Sequence, residues 1–174
     1  FRPLASFPFA LNYAVHGLHP AGYRLVNLFF HILNAFLLFL VLRRIGFTKV
    51  PSFAGALVFA VHPVHTEAVT WIAGRGNVLF LFFFLLSYLS YSKMDDASRV
   101  KRNMYYWTAL VAYMLALLAK EMALPLPVIL LGHDVYVKKE RNWKKRLKLY
   151  VPFLLIAISY LLLRTHVLGG IAQV

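Results

Sequence analysis

The stretch Val61-His62-Pro63-Val64-His65-Thr66-Glu67-Ala68-Val69, followed by Gly74-Arg75-Gly76-Asn77, puts two imidazoles, a carboxylate and a guanidinium into one of the most apolar parts of the chain. Ionisable groups at membrane depth cost roughly 2.5–3.5 kcal/mol each on insertion scales. Such groups need a reason to be there. The medium around them follows from composition. The 174 residues are 61% hydrophobic, 16% aromatic and only 14% charged, whereas a soluble domain holds about 25% charged residues. The chain reads as an all-α integral membrane protein.

Apolar runs at 23–42, 51–72, 77–92, 104–119, 122–137 and 149–163 predict a polytopic helical bundle of about six spans. A run of about 16 residues reaches only about 24 Å as a helix, against a hydrocarbon core of about 30 Å. Short spans fit a bundle whose helices break, tilt or line a wet cavity. The domain reading is an extracytoplasmic loop with an amphipathic interfacial segment at 1–22, a membrane domain at 23–166 and the start of another outer loop at 167–174.

The net charge of +13 would point to nucleic acid in a soluble protein. Here it does not, because fourteen of the nineteen basic residues fall in three short connections: Arg43, Arg44 and Lys49; Lys93, Arg99, Lys101 and Arg102; and the 138–148 stretch. That asymmetry predicts these connections to be cytoplasmic and places 1–22, 62–77, the Lys120-Glu121 corner and the C-terminal residues outside. The 138–148 stretch is an orientation signal or a patch attracted to anionic lipid. Cysteine is absent, so disulfides and thiolate metal sites are excluded. The chain opens Phe1-Arg2-Pro3 without a start methionine or leader pattern, as a piece of a longer protein would.

A helix from Pro51 that stopped before Pro63 would cover only about 15 Å. The helix is therefore expected to continue past Pro63, or the segment to re-enter, and either leaves His62, His65 and Glu67 near the outer interface beside a polar cavity. His62 and His65 share a helical face, but Glu67 lies about 200° round from His65. No metal site and no cofactor is predicted, although a divalent ion is not excluded. The alternative is that these groups only satisfy one another at a kink.

Glycines on both sides of Arg75 suggest a free guanidinium, suited to grip a phosphate, or one that snorkels to headgroups. Lys120 and Glu121 point about 100° apart on a helix, so each engages something else. Asn27, His31 and Asn34 recur at intervals of four and three and form one polar stripe, facing the bundle interior. Asp134, at the inner end of the fifth run, is read as structural.

Arg2-Pro3-Leu4, the Asn27/His31/Asn34 stripe, the 59–69 run, Gly74-Arg75 and Ala119-Lys120-Glu121 together resemble the membrane domain of the transmembrane-and-TPR O-mannosyltransferases (the TMTC group) and their prokaryotic relatives, over nearly the whole chain. The His-Pro-Val-His-Thr-Glu-Ala-Val run is the specific part. The resemblance implies a GT-C fold, a polyprenyl-phosphate-linked sugar as donor, a protein or peptide hydroxyl as acceptor, and tetratricopeptide repeats after the membrane domain. It also implies that the catalytic acid lies upstream of Phe1. On that reading Arg2, His65, Arg75 and Lys120 would meet the donor phosphate or substrate, while His31, Asn34, His62, Glu67 and Glu121 would line the cavity and orient its contents. The membrane would be a bacterial or archaeal plasma membrane or the endoplasmic reticulum. The residues alone leave two alternatives open: a transporter-like bundle with an intramembrane polar path, and a non-catalytic scaffold whose polar region is dry and filled by side chains.

Overall fold

The computed structural model of the chain describes residues 3–138 and 143–168. Among them are eight α-helices: α1 (Pro3–His16), α2 (Pro20–Ile45), α3 (Lys49–Val61), α4 (Thr66–Thr70), α5 (Arg75–Lys93), α6 (Arg99–Ala119), α7 (Leu126–Gly132) and α8 (Trp143–Leu168). Tight 3-10 turns join several of them, and α7 runs into a π-turn at His133–Val137. Strands are absent among the described residues, so the all-α expectation holds there.

Local chemistry sets the helix ends. Pro20 opens α2, where its missing N–H costs nothing. Gly46, in the left-handed region at φ 116°, closes α2 with its N–H on the Leu42 carbonyl, and Arg43 and Arg44 sit in the last turn where cations complement the helix dipole. α3 ends at Val61 because His62 precedes Pro63 and takes an extended conformation, φ −67° and ψ 130°. The helix therefore does not continue past Pro63. Its 13 residues reach about 20 Å, and residues 62–74 return to α5 through two 3-10 turns and the single-turn α4.

Of the six apolar runs, three become helices long and apolar enough to cross a membrane: Pro20–Ile45, Ile72–Asp96 and Arg146–Val167. The others are shorter or more polar. α3 is cut by the His62-Pro63 pair, α6 opens with Arg99, Lys101 and Arg102, and α7 is interrupted by its π-turn. Leu168 still belongs to α8, so helix extends into the 167–174 segment read as loop. Residues 169–174 lie outside the described residues, as does Arg2.

The helices run alternately between two ends. At one, Arg44 on α2 reaches the Ser92 carbonyl and Asp96 at the end of α5, and Lys138 reaches Asp95 at 2.7 Å. At the other, Lys120 after α6 meets Asn77 at the start of α5, and Arg164 on α8 meets Glu121 at 3.6 Å. We term these the basic end and the polar end. α5 and α6 form the central seam, closed by the buried small residues Ala109, Ala112, Ala116 and Ala119, which let the backbones approach. Ser87 Oγ donates across this seam to the Ala109 carbonyl at 2.7 Å. Large apolar side chains such as Phe29, Ile32, Phe36, Phe53, Trp107 and Leu162 point outward, as they would in a bundle whose surroundings are lipid.

The basic end is closed by charge pairing. Asp134, fully buried, accepts hydrogen bonds at Oδ2 from the hydroxyls of Tyr91 at 2.7 Å and Tyr150 at 2.6 Å and from Arg146 Nη1 at 3.2 Å. Asp95 takes Lys138 Nζ and Arg146 Nη2 at 2.7 and 2.6 Å. Lys138 and Arg146 are thus held in ion pairs that tie the π-turn, α5 and α8 together, a role composition alone does not reveal. Replacing Asp134 by Ala removes the acceptor that two hydroxyls and Arg146 Nη1 share. Asp134→Ala is expected to lower the unfolding free energy by about 3–5 kcal/mol, read as denaturant unfolding in detergent, with Tyr91→Phe costing only about 1 kcal/mol. An unchanged midpoint for Asp134→Ala would contradict this role.

Candidate functional site

The polar stripe on α2 is what permits the break after α3. Asn27, His31 and Asn34 are all buried, and each reaches a backbone carbonyl of another element. His31 Nε2 bonds the Ala60 oxygen at 3.0 Å. A carbonyl only accepts, so His31 carries its proton on Nε2. Ala60 sits in the last turn of α3, where carbonyls lose their intrahelical partners. Asn27 Nδ2 donates to the Val69 and Trp71 carbonyls at 3.4 and 3.2 Å, at the end of α4. Asn34 Nδ2 donates to the Val78 oxygen at 2.9 Å, in the first turns of α5.

Residues 62–74 satisfy themselves in part. The Val64 N–H donates to His62 Nδ1 at 3.2 Å and caps the 3-10 turn, and Thr70 Oγ1 donates to the Thr66 carbonyl at 2.8 Å. Gly74 is required by close approach: a Cβ there would stand 2.9 Å from the Ala68 carbonyl oxygen. Folding this way gathers three histidines. The His65 ring centroid lies 5.5 Å from His31, 6.4 Å from His62 and 4.3 Å from Phe59.

Two clefts open beside these rings. One, of about 300 Å³, is lined by His31, Asn34, His65, Asn77 and Lys120 with apolar walls that include Phe59 and Phe80. The other, of about 240 Å³, has His62, Thr66 and Thr70 and shares His31 and His65 with the first. The polar region is thus open rather than filled. Lys120 Nζ donates to Asn77 Oδ1, which aims the ammonium along the cleft wall. Asn34 Oδ1 is buried without a hydrogen-bond partner. His65 lies beyond α3 and before α5, and partial burial, with His31 and His62 nearby, lowers its pKa from the ordinary 6.5. It is therefore neutral at neutral pH, able to give or take a hydrogen bond but not to serve as a standing cation. Among the described residues no group of three His, Cys, Asp or Glu is placed to hold a metal ion.

The structure brings His31, Asn34, His65 and Lys120 to one cleft and His62 to its neighbour. Glu67 is exposed, and Glu121 is engaged by Arg164 at 3.6 Å. Arg75 departs most from expectation. Its guanidinium is not free but fully buried, with Nε donating to Asn27 Oδ1 at 3.1 Å and Nη2 to the Tyr23 carbonyl at 3.2 Å. Asn77, two residues on, is the group that reaches the cleft. Its place in the Gly74-Arg75-Gly76-Asn77 motif was visible, but only the position of Lys120 gives it a role.

Comparison with known proteins finds relatives of this chain. It is 38% identical over 141 residues to protein O-mannosyl-transferase TMTC3 of Mus musculus, covering 79% of this chain and 15% of that protein. It is 39% identical over 127 residues to protein O-mannosyl-transferase Tmtc1 of Drosophila melanogaster, covering 71% and 14%, and 35% identical over 142 residues to human protein O-mannosyl-transferase TMTC4, covering 71% and 19%. The chain thus spans less than a fifth of the length of these relatives. No family model matches the chain, and no solved structure does.

The lowered His65 pKa has a consequence for stability. Below 6.5 the unfolded imidazole takes up a proton before the folded one does, so stability falls as pH drops through the interval between the two values. His65→Gln is expected to flatten that acid limb in thermal-unfolding profiles recorded in detergent, while leaving stability above neutral pH little changed. A limb of unchanged slope would contradict the assignment.

Proposed function

Because this chain belongs to the TMTC group of protein O-mannosyl-transferases, we propose that it forms part of a membrane enzyme that moves a mannosyl group from a polyprenyl-phosphate carrier to a hydroxyl of an acceptor protein. On this proposal the polar end faces away from the cytosol and the basic end towards it. Support comes from the grouping of Arg43, Arg44, Lys93, Arg99, Lys101, Arg102 and Lys138 about the connections of one end, the pattern that basic loops show on the cytosolic side. α2, α3, α5, α6, α7 with its π-turn, and α8 would then be six crossings of a GT-C arrangement, with residues 62–71 at its outer face. The membrane concerned is the endoplasmic reticulum or a prokaryotic plasma membrane.

In the reaction the acceptor oxygen attacks the anomeric carbon of the sugar, the carbon–oxygen bond to the carrier phosphate breaks, and the hydroxyl proton passes to a base. The carrier phosphate gains negative charge as it leaves, and a cation fixed beforehand next to it stabilises that charge. Lys120, aimed by Asn77 along the cleft wall, is the residue proposed for this task. His65, kept neutral, would donate a hydrogen bond to phosphate or sugar, and Asn34 and His31 would complete the polar wall. His62 would line the adjoining cleft. Glu67 and Glu121 would stay at the rim, Glu121 in its pair with Arg164, and Arg2 would belong to the loop above.

The observation that carries this reading is the convergence of Lys120, Asn77 and the neutral His65 on one cleft. The test is mannosyl transfer from a polyprenyl-phosphate mannose to an acceptor peptide by the full-length protein in proteoliposomes. A charge-assisted hydrogen bond contributes about 1.5–3 kcal/mol, so Lys120→Ala is expected to cut the rate by about 10–100-fold, with Lys120→Arg retaining more activity and membrane insertion unaffected. Full activity in Lys120→Ala would overturn the role given to Lys120, and no transfer by the parent protein would overturn the function.

A further inference from the structure

Arg75 carries a second inference, independent of any activity. A buried charge costs several kcal/mol unless its hydrogen bonds and neighbours hold it. Arg75 is held by groups from two helices besides its own. Asn27 and Tyr23 on α2 accept its Nε and Nη2 hydrogens, and the guanidinium stacks over the rings of Phe9 on α1, at 4.5 Å to the centroid, and Tyr23, at 5.6 Å. A desolvated guanidinium is attracted to the face of an aromatic ring. Tyr23 fastens the same seam, because its hydroxyl donates to the Gly17 carbonyl just beyond α1, at 2.9 Å, where Gly17 turns the chain at φ 55°. α1 in turn packs against α2, α5 and α6. Phe9 itself stacks on Tyr23 with centroids 6.2 Å apart.

The other side of Asn27 faces residues 62–74. Its oxygen accepts from Arg75, while its amide hydrogens go to the carbonyls of Val69 and Trp71. A single side chain therefore links the pin that holds α1 to the segment whose Ala68 and His65 line the cleft. The remaining guanidinium nitrogen, Nη1, is buried and has no hydrogen-bond partner among the described residues. A substrate phosphate would have to part the α1 seam to reach it.

We propose that Arg75 is a positioning residue that docks α1 onto the polar end and, through Asn27, sets the placement of the 66–74 segment, rather than a residue that touches substrate. The relay runs Phe9, Arg75, Asn27, then the Val69 and Trp71 carbonyls. Its members have separable effects. Phe9→Ala removes the ring without touching any charge. Asn27→Asp keeps an acceptor for Arg75 but loses both donors to the segment.

The chain has no cysteine, so single thiols serve as reporters, each introduced into the full-length protein with any cysteines outside this chain replaced by serine and read against that parent in detergent with a polar maleimide. Asn12→Cys reports on the buried face of α1, Ala68→Cys on the cleft wall, and Met94→Cys, at a position buried at the basic end, on global integrity. Arg75→Ala and Phe9→Ala are each expected to raise labelling at positions 12 and 68 by about tenfold, the effect of losing about 1.4 kcal/mol of local stability, with position 94 unchanged. Asn27→Asp is expected to raise it at 68 alone. The proposal is overturned if Arg75→Ala leaves positions 12 and 68 at parent rates, if Phe9→Ala has no effect, if Asn27→Asp leaves position 68 at the parent rate, or if position 94 opens together with the others. None of these readouts involves sugar transfer, so failure of the relay and failure of the proposed activity are distinguishable.

Discussion

The constraint on which the polar end depends is the fate of backbone carbonyls where a helix stops inside an apolar bundle. Pro63 forces His62 out of the helical region, α3 ends at Val61, and carbonyls that a longer helix would have satisfied are left facing protein. One face of α2 supplies side-chain donors there. His31 takes Ala60 in the last turn of α3, Asn27 takes Val69 and Trp71 in the returning segment, and Asn34 takes Val78 in the first turns of α5. With those bonds made, residues 62–74 are held as an irregular segment against the bundle. The clefts beside it follow from that geometry, because an irregular chain does not fill space as a helix does.

The two ends of the bundle use charge in opposite ways. At the basic end Asp134, Asp95 and Asp96 are matched by Arg146, Lys138 and Arg44, and tyrosine hydroxyls fill further acceptor sites on Asp134. That arrangement fixes helices. At the polar end Lys120 is answered, among the described residues, by the neutral amide of Asn77, and His65 is kept neutral by its surroundings. A cation without a counter-charge beside an open cleft is an arrangement suited to an anionic ligand. Arg164 at this end is paired with Glu121, and the Arg75 guanidinium is sealed away from the cleft.

Much of this was legible in sequence, and what was not has a common cause. The all-α class follows from composition, and the Asn27/His31/Asn34 stripe from its spacing, since side chains four and three residues apart must share a face. The His62-Pro63 pair marked the place where the second apolar run is disturbed. The choice between a continuing and an interrupted helix was not legible, because it depends on whether α2 offers donors at the right depth. Glycines around Arg75 suggested a free side chain because they describe only its own backbone. Its burial is decided by Phe9 and Tyr23, far away in sequence. Lys120 and Asn77 are likewise 43 residues apart. Lys138 and Arg146 read as orientation signals, and their charge still biases that end, but their ion pairs with Asp95 and Asp134 became visible only with the helices in place. Local rules located the polar groups, and long-range packing assigned their partners.

If the interrupted second segment and the end of α6 bound one hydrated cleft opposite the basic connections, their accessibility in an intact membrane is fixed. The direct measurement places single cysteines at His65, Lys120 and Arg99 in the full-length protein and treats sealed, oriented vesicles with an impermeant thiol reagent. Positions 65 and 120 are expected to react together from the non-cytosolic side, and position 99 only from the cytosolic side. Reaction of 65 and 120 from different sides, or of both from the side on which 99 reacts, would contradict the shared cleft and its placement.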